Sequence, residues 1–164
     1  MAYKYVIYEK EEGIATLTLN RPEVLNAMLH EMAEEINEAL DEAGADDDVR
    51  VVIITGKGDG FCSGADVKNV LMPGAGASSR PAPRKYVRQM TMAEIPLHIR
   101  GIGKPVIAAV NGVAAGAGFA IALAADIRIA SERARFSMIF VLRGIVQAPC
   151  TCCRGWWARR GPPS

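Results

Sequence analysis

The chain has 164 residues, enough for one ordinary domain with a sizeable core. Half of them are hydrophobic and 23% are charged, the balance of a soluble globular protein. Nineteen basic side chains against eighteen acidic ones leave a net charge of +1, which excludes a broad basic face for nucleic acid. The N-terminus, Met1-Ala2-Tyr3-Lys4-Tyr5, has no apolar signal core, so a cytoplasmic protein is the expectation.

Tyr3–Glu9 and Gly13–Asn20 read as a strand pair. Ala15, Leu17 and Leu19 alternate with Thr16, Thr18 and Asn20, the mark of a half-buried strand. Glu11-Glu12-Gly13 supplies the turn, and Arg21-Pro22 ends the second strand because proline cannot continue the ladder. Leu29, Met32, Ala33, Ile36, Ala39 and Leu40 fall at helical spacing, which predicts an amphipathic helix over Met28–Ala43. Glu31, Glu34, Glu35 and Glu38 fill its other face, read as solvated, and Gly44 with Asp46-Asp47-Asp48 ends it.

Arg50–Thr55 is apolar enough for a central strand covered on both faces. Lys57-Gly58-Asp59-Gly60 is a turn. The small residues of Phe61-Cys62-Ser63-Gly64-Ala65-Asp66 follow just past the strand end, where open α/β sheets place ligands. Residues 72–83 are a low-complexity loop. Arg84–Ile102 has mixed helical spacing, and Pro96 predicts two helical pieces.

Pro105–Ala130 is the stretch around which the chain is organised. Val106–Val110 is a β-branched apolar run that breaks at Asn111-Gly112 and so reads as a buried strand. From Gly116 to Ala125, Ala and Leu favour a helix, whose first N–H groups have no intrahelical partner. Such a helix start suits a negative charge developing on oxygen. A purely structural strand–helix core is the other reading. The uncharged length Pro105–Ala125 would also suit a membrane span, but the Asn-Gly break, the Ala/Gly composition and the lack of flanking aromatic belts argue against one. Gly116-Ala117-Gly118 lacks the third glycine of a dinucleotide fingerprint.

Three of the four cysteines lie in Cys150-Thr151-Cys152-Cys153, with no second pair to complete a zinc site. Cys62 reads as a small buried residue, and His30 and His98 as surface residues rather than catalysts. Ala134–Ser137 and Phe140–Val146 close the part that reads as core.

Three stretches then resemble the crotonase superfamily, the enoyl-CoA hydratase/isomerase group. They are LTLNRPEVLNAM (17–28), VVIITGKGDGFCSGADVK (51–68) and KPVIAAVNGVAAGAGFAIALAADIRIAS (104–131), with ARFS (134–137) added. The resemblance implies an α/β fold, a spiral of repeated β-β-α units of which 1–146 would be an N-terminal core. It implies an acyl-CoA substrate, coenzyme A being part of the substrate with no further cofactor, and no nucleic-acid or membrane partner. Intact members form trimers or hexamers. The thioester oxygen would sit between the backbone N–H groups of Ala65 and Ala117, glycine being common in the family at the second position. Glu23, Val24 and Leu25 would line the pantetheine or nucleotide end of CoA. Ser63, Asp66, Val67 and Lys68 would lie along its adenine and phosphate region, Lys68 by charge pairing with phosphate.

The departures are informative. The two glutamates with which the family's hydratases activate water and protonate carbon match Ala120 and Phe140, neither of which can transfer a proton. No carboxylate follows Gly144-Ile145-Val146 either. The expectation is an enoyl-CoA hydratase/isomerase-family enzyme that stabilises a thioester enolate and isomerises or otherwise transforms it rather than hydrating, or an inactive fragment that at most binds acyl-CoA.

The tail, 147–164, has no periodicity. Read from the last base of the Gln147 codon in G+C-rich DNA, it can spell Gly-Ala-Val-His-Leu-Leu-Pro-Arg-Val-Val-Gly, like the family's continuation. Three letters of that reading are independent of codon choice: Leu from Cys152-Cys153, Val from Trp156-Trp157 and Gly from Trp157-Ala158. A frame-shifted, disordered tail on a truncated core is the expectation.

Overall fold

A computed structural model describes residues 3–71 and 83–139. The loop expected over 72–83 lies almost wholly outside them, as do Phe140–Val146 and the tail. Strands β1 (Val6–Glu11) and β2 (Ile14–Leu19) form an antiparallel hairpin, turned by Glu12 and Gly13 at positive φ. Helix α1 (His30–Ala45) follows, then β3 (Val51–Gly56), β4 (Gly60–Cys62), α2 (Pro83–Gly101), β5 (Val106–Val110), β6 (Val113–Ala115), α3 (Ala117–Ala124), β7 (Ile127–Ala130) and β8 (Arg135–Ser137).

The strands sort into two sheets. One has the order β1-β2-β3-β5-β7 and is parallel beyond the hairpin; the other, β4-β6-β8, is parallel throughout. From β3 onward consecutive strands alternate between the sheets, and a helix follows each of the pairs β3-β4 and β5-β6. This is the spiral of β-β-α units that the resemblance implied. No helix among the described residues is long and apolar enough to cross a membrane.

The alternation in β2 is realised as read: Ala15, Leu17 and Leu19 are buried, and they meet Val52 and Ile54 of β3 beneath α1 and α2. Met32, Ala33, Ile36, Ala39 and Leu40 of α1 are buried with them.

Several expectations are corrected. The first strand begins at Val6 rather than Tyr3. Here Glu35 is no solvated acid: its carboxylate accepts the backbone N–H groups of Lys4 (3.1 Å), Tyr5 (2.7 Å) and Val6 (3.1 Å) and ties β1 to α1. Gly44 stays inside α1, which ends at Ala45, where Lys104 Nζ donates to the carbonyls of Ala43 and Asp46. Helix α2 runs through Pro96 as one element. Met92, Ile95 and Ile99 are buried along one side of it, and that packing outweighs the helical hydrogen bond that proline lacks.

Helix α3 meets the smaller sheet where backbone touches backbone. A β-carbon at Gly118 would lie 2.2 Å from the Cys62 carbonyl oxygen and 2.6 Å from the Cys62 β-carbon. Gly118→Ala is therefore expected to destabilise the chain by about 2–3 kcal/mol through overpacking. Gly101→Ala, which would meet nothing within 4 Å, should stay within about 0.5 kcal/mol of the parent. Urea unfolding of the two variants checks this, and equal effects would refute the packing argument.

Candidate active site

Two segments that follow strands approach each other here: 61–66 after β4 begins, and 111–118 after β5. A β-carbon added at Gly64 would sit 3.0 Å from the Ala115 carbonyl oxygen and 3.7 Å from the Ala117 nitrogen. Gly64 has φ +102, open to glycine and strained for any other residue. Gly64, the residue before Ala65, thus adjoins the start of α3. Gly116 precedes that start with φ 52, and its N–H donates to the Ser137 carbonyl of β8 at 3.0 Å. As the first helical residue, Ala117 has no intrahelical acceptor for its N–H.

The orientation of the Ala65 amide follows from its neighbours. Met28 and Ala65 form an isolated parallel bridge, in which the Met28 N–H donates to the Gly64 carbonyl at 2.8 Å and the Asp66 N–H to the Met28 carbonyl at 2.9 Å. A planar trans peptide directs its N–H opposite to its carbonyl. The Gly64 carbonyl faces Met28, so the Ala65 N–H faces away from it.

The segment 21–28 packs alongside. The Ser63 N–H donates to the Leu25 carbonyl at 3.0 Å, and the Ser63 hydroxyl to the Val24 carbonyl at 3.2 Å. Glu23, Val24 and Leu25 are exposed, as are Val67 and Lys68, whereas Ser63 and Ala65 are half-buried. The structure therefore brings Val24 and Leu25 against Ser63 and places Glu23, Val67 and Lys68 on the neighbouring surface.

Asp66 differs from the other nominated CoA contacts. It is buried, and its Oδ2 lies 3.3 Å from both terminal nitrogens of Arg21, while Asn69 donates to it from backbone (3.2 Å) and side chain (3.0 Å). Burial pushes its carboxyl up; the hydrogen bonds from Asn69 and Arg21 and the Arg21 charge outweigh burial and hold it below its ordinary value. Cys62 is fully buried, which pushes its thiol up to about 11, so it is no thiolate nucleophile at neutral pH. Ala120 is buried on α3, and Phe140 lies outside the described residues.

His98 lies elsewhere, bonded to Asp41 at 2.7 Å beside a groove of about 490 Å³ between α1 and α2. Among the described residues no group of three or more His, Cys, Asp or Glu could hold a metal ion.

Three residues that shape the site were missed in the sequence. Arg21 reads there only as a strand end, but its guanidinium also donates to the Ala27 carbonyl. Asn26, at φ 56 and fully buried, accepts the Arg21 N–H (2.8 Å) and donates to the Lys57 (3.1 Å) and Gly60 (2.7 Å) carbonyls. Asn111, read as part of a turn, donates to Gly58 (2.7 Å) and Gly60 (3.3 Å). The available signal was their position beside small residues at both strand ends, where Asn serves left-handed and turn backbone.

Comparison with known proteins agrees with this architecture. The profile of the enoyl-CoA hydratase/isomerase family matches residues 9–164. The chain belongs to that family. The 1,2-epoxyphenylacetyl-CoA isomerase of Escherichia coli (strain K12) is 38% identical over 158 residues, which are 94% of this chain and 56% of that protein. An enoyl-CoA hydratase/isomerase from Mycobacterium paratuberculosis superposes with a TM-score of 0.76 at 37% identity, over 94% of this chain and 58% of that one. An enoyl-CoA hydratase/carnithine racemase from Magnetospirillum magneticum superposes with a TM-score of 0.82 at 29% identity, over 94% and 57%. The chain spans somewhat more than half the length of each.

The Asp66–Arg21 pair carries a pH signature. A carboxyl whose folded pKa is lowered contributes stability above its unfolded value of about 3.9, and that contribution disappears as pH falls through the folded value. Asp66→Asn should cost about 1–3 kcal/mol at neutral pH. The gap between variant and parent should close below about pH 4. Urea unfolding at the two pH values decides it, and a gap that widens in acid would contradict the assignment.

Proposed function

We propose that this chain binds an acyl-CoA thioester and stabilises negative charge on its oxygen between the N–H groups of Ala65 and Ala117. The close approach of Gly64 to the start of α3 supports this reading: a β-carbon on Gly64, the residue before Ala65, would lie 3.7 Å from the Ala117 nitrogen. An enolate oxygen gains charge in the transition state, and preorganised amides stabilise it without an ionisable side chain. The exposed apolar side chains of Val24, Leu25 and Val67 suit the pantetheine arm, and Lys68 suits a phosphate. Coenzyme A enters as part of the substrate, and no further cofactor is proposed. Assembly into trimers or hexamers, as in the family, is likewise part of this proposal.

Beyond polarisation, this reading excludes hydration through position 120, and an isomerisation would equally need an acid or base at carbon that Ala120 does not supply. Ala120 occupies the position at which the resemblance puts one of the hydratase glutamates, and its methyl group neither gives nor takes a proton. A positioned acid or base contributes about 10²–10⁴ in rate, so the reading includes the limit in which the chain holds and polarises acyl-CoA without turning it over.

Ala117→Pro tests the oxyanion role. Proline is favoured at the first helical position and removes only an N–H that has no helical acceptor. Bound 2-enoyl-CoA should show a lowered thioester carbonyl stretch in the parent and lose most of that lowering in the variant. Calorimetric titration should detect CoA binding in both, while the enoyl absorbance shows no hydration. Rapid hydration by the parent would overturn the role given to Ala120.

A further inference from the structure

The contacts around Arg21 form a directed chain. Its guanidinium donates to the Ala27 carbonyl. The same peptide carries the Met28 N–H, which donates to the Gly64 carbonyl at 2.8 Å. That second peptide carries the Ala65 N–H. Each peptide is planar and trans, so a donor bound at its carbonyl end both aims and polarises the N–H at its other end. The start of the chain is a permanent cation, because a guanidinium does not lose its proton in proteins. The Arg21 side chain is only 13% exposed, so solvent screens its field weakly.

The cation is itself held in place. Asp66 Oδ2 lies 3.3 Å from both terminal nitrogens, and the Tyr5 ring centroid lies 5.9 Å from the guanidinium carbon. The Arg21 backbone is fixed by Asn26, whose side-chain oxygen accepts the Arg21 N–H and whose own N–H donates to the Arg21 carbonyl at 2.9 Å.

We infer that Arg21 is a positioning residue that acts through the Ala27–Met28 and Gly64–Ala65 peptides to aim and strengthen the Ala65 N–H as a donor to the thioester oxygen. This rests on the oxyanion role proposed for Ala65 and assigns its strength to a side chain that never touches substrate. Asp66 then anchors Arg21 instead of contacting CoA: its carboxylate is already engaged by Arg21 and Asn69, and a bare carboxylate beside CoA phosphates would repel them.

The test is the carbonyl stretch of bound thioester-labelled 2-enoyl-CoA, read with its dissociation constant, in the parent, Arg21→Met, Arg21→Lys and Asp66→Asn. The parent should lower the stretch relative to free ligand. Arg21→Met should lose most of that lowering while affinity for CoA lacking an acyl group changes by less than about tenfold. Arg21→Lys keeps the charge and should recover part of the lowering. Asp66→Asn loosens the guanidinium it anchors, so it should lose part of the lowering while CoA affinity holds, a readout that stands even if Arg21→Met fails to fold. A full lowering in Arg21→Met or in Asp66→Asn overturns the relay and leaves the oxyanion reading standing. No lowering in the parent refutes the oxyanion reading itself, and the relay falls with it. If CoA affinity collapses in Asp66→Asn while the stretch is unmoved, Asp66 is a CoA contact and the anchor role is wrong.

Discussion

A β-carbon at Gly118 would intrude on the Cys62 carbonyl oxygen, and the placement of α3 depends on that missing atom. Because glycine stands at 118, the first turn of α3 lies directly against the backbone of β4, the neighbour of β6 in the smaller sheet. Gly112 repeats the device one strand earlier, where a β-carbon would lie 1.9 Å from the Asp59 carbonyl oxygen. These approaches bring the ends of two spiral turns into register. Larger residues would push α3 away from the 61–66 segment, and the Ala117 nitrogen would no longer lie beside Gly64. The small side chains of this region are thus the condition for placing backbone amides, which are short and have no reach of their own.

Close backbone approach leaves carbonyls and amides inside the protein that must be paired. Asn26 and Asn111 do this from opposite sides. Both donate to the Gly60 carbonyl, and Asn26 also takes Lys57 while Asn111 takes Gly58. One turn, Lys57–Gly60, is therefore clamped by the segment that follows β2 and by the segment that follows β5. The same logic closes α3, where Arg128 donates to the Ala125 carbonyl at 2.6 Å and more weakly to those of Ala122 and Leu123. Asp126 accepts the Val106 N–H at 2.9 Å and ties the start of β5 to that of β7. Polar residues at these strand and helix ends hold the spiral, while the apolar core fills its middle.

That division explains what could be read from the sequence. The strands of the large sheet were legible because burial imposes a period on Ala15, Leu17 and Leu19 and a continuous run on Val106–Val110. The helix over 30–45 was legible from its apolar stripe. The break expected at Pro96 failed because a local rule met the burial of Met92, Ile95 and Ile99, which no local pattern expresses. Glu35 was misread for a related reason. Its partners are the N–H groups of residues 4–6, about thirty positions away, and sequence spacing says nothing about such pairs. The candidate site was legible as two small-residue stretches at strand ends. Arg21, Asn26 and Asn111 were not, since their roles lie in carbonyls that only the fold delivers to them.

The buried ionisable groups of the site are engaged within the protein itself. Asp66 is tied to Arg21 and Asn69, and the Cys62 thiol is buried and pushed up to about 11. Both histidines are away from the amides in function: His98 is bonded to Asp41, and His30 begins α1 with its Nδ1 buried and unpartnered among the described residues. Amide donors act on oxygen and move no proton at carbon, so charge stabilisation and proton transfer are separable parts of the chemistry proposed here. The first is built from backbone and persists through changes of side chain as long as the glycines persist. The second depends on single side chains such as the one at position 120, where a methyl group stands. On the proposed reading, a spiral of this kind would keep its power to polarise a thioester whichever side chains decide what the polarised thioester becomes.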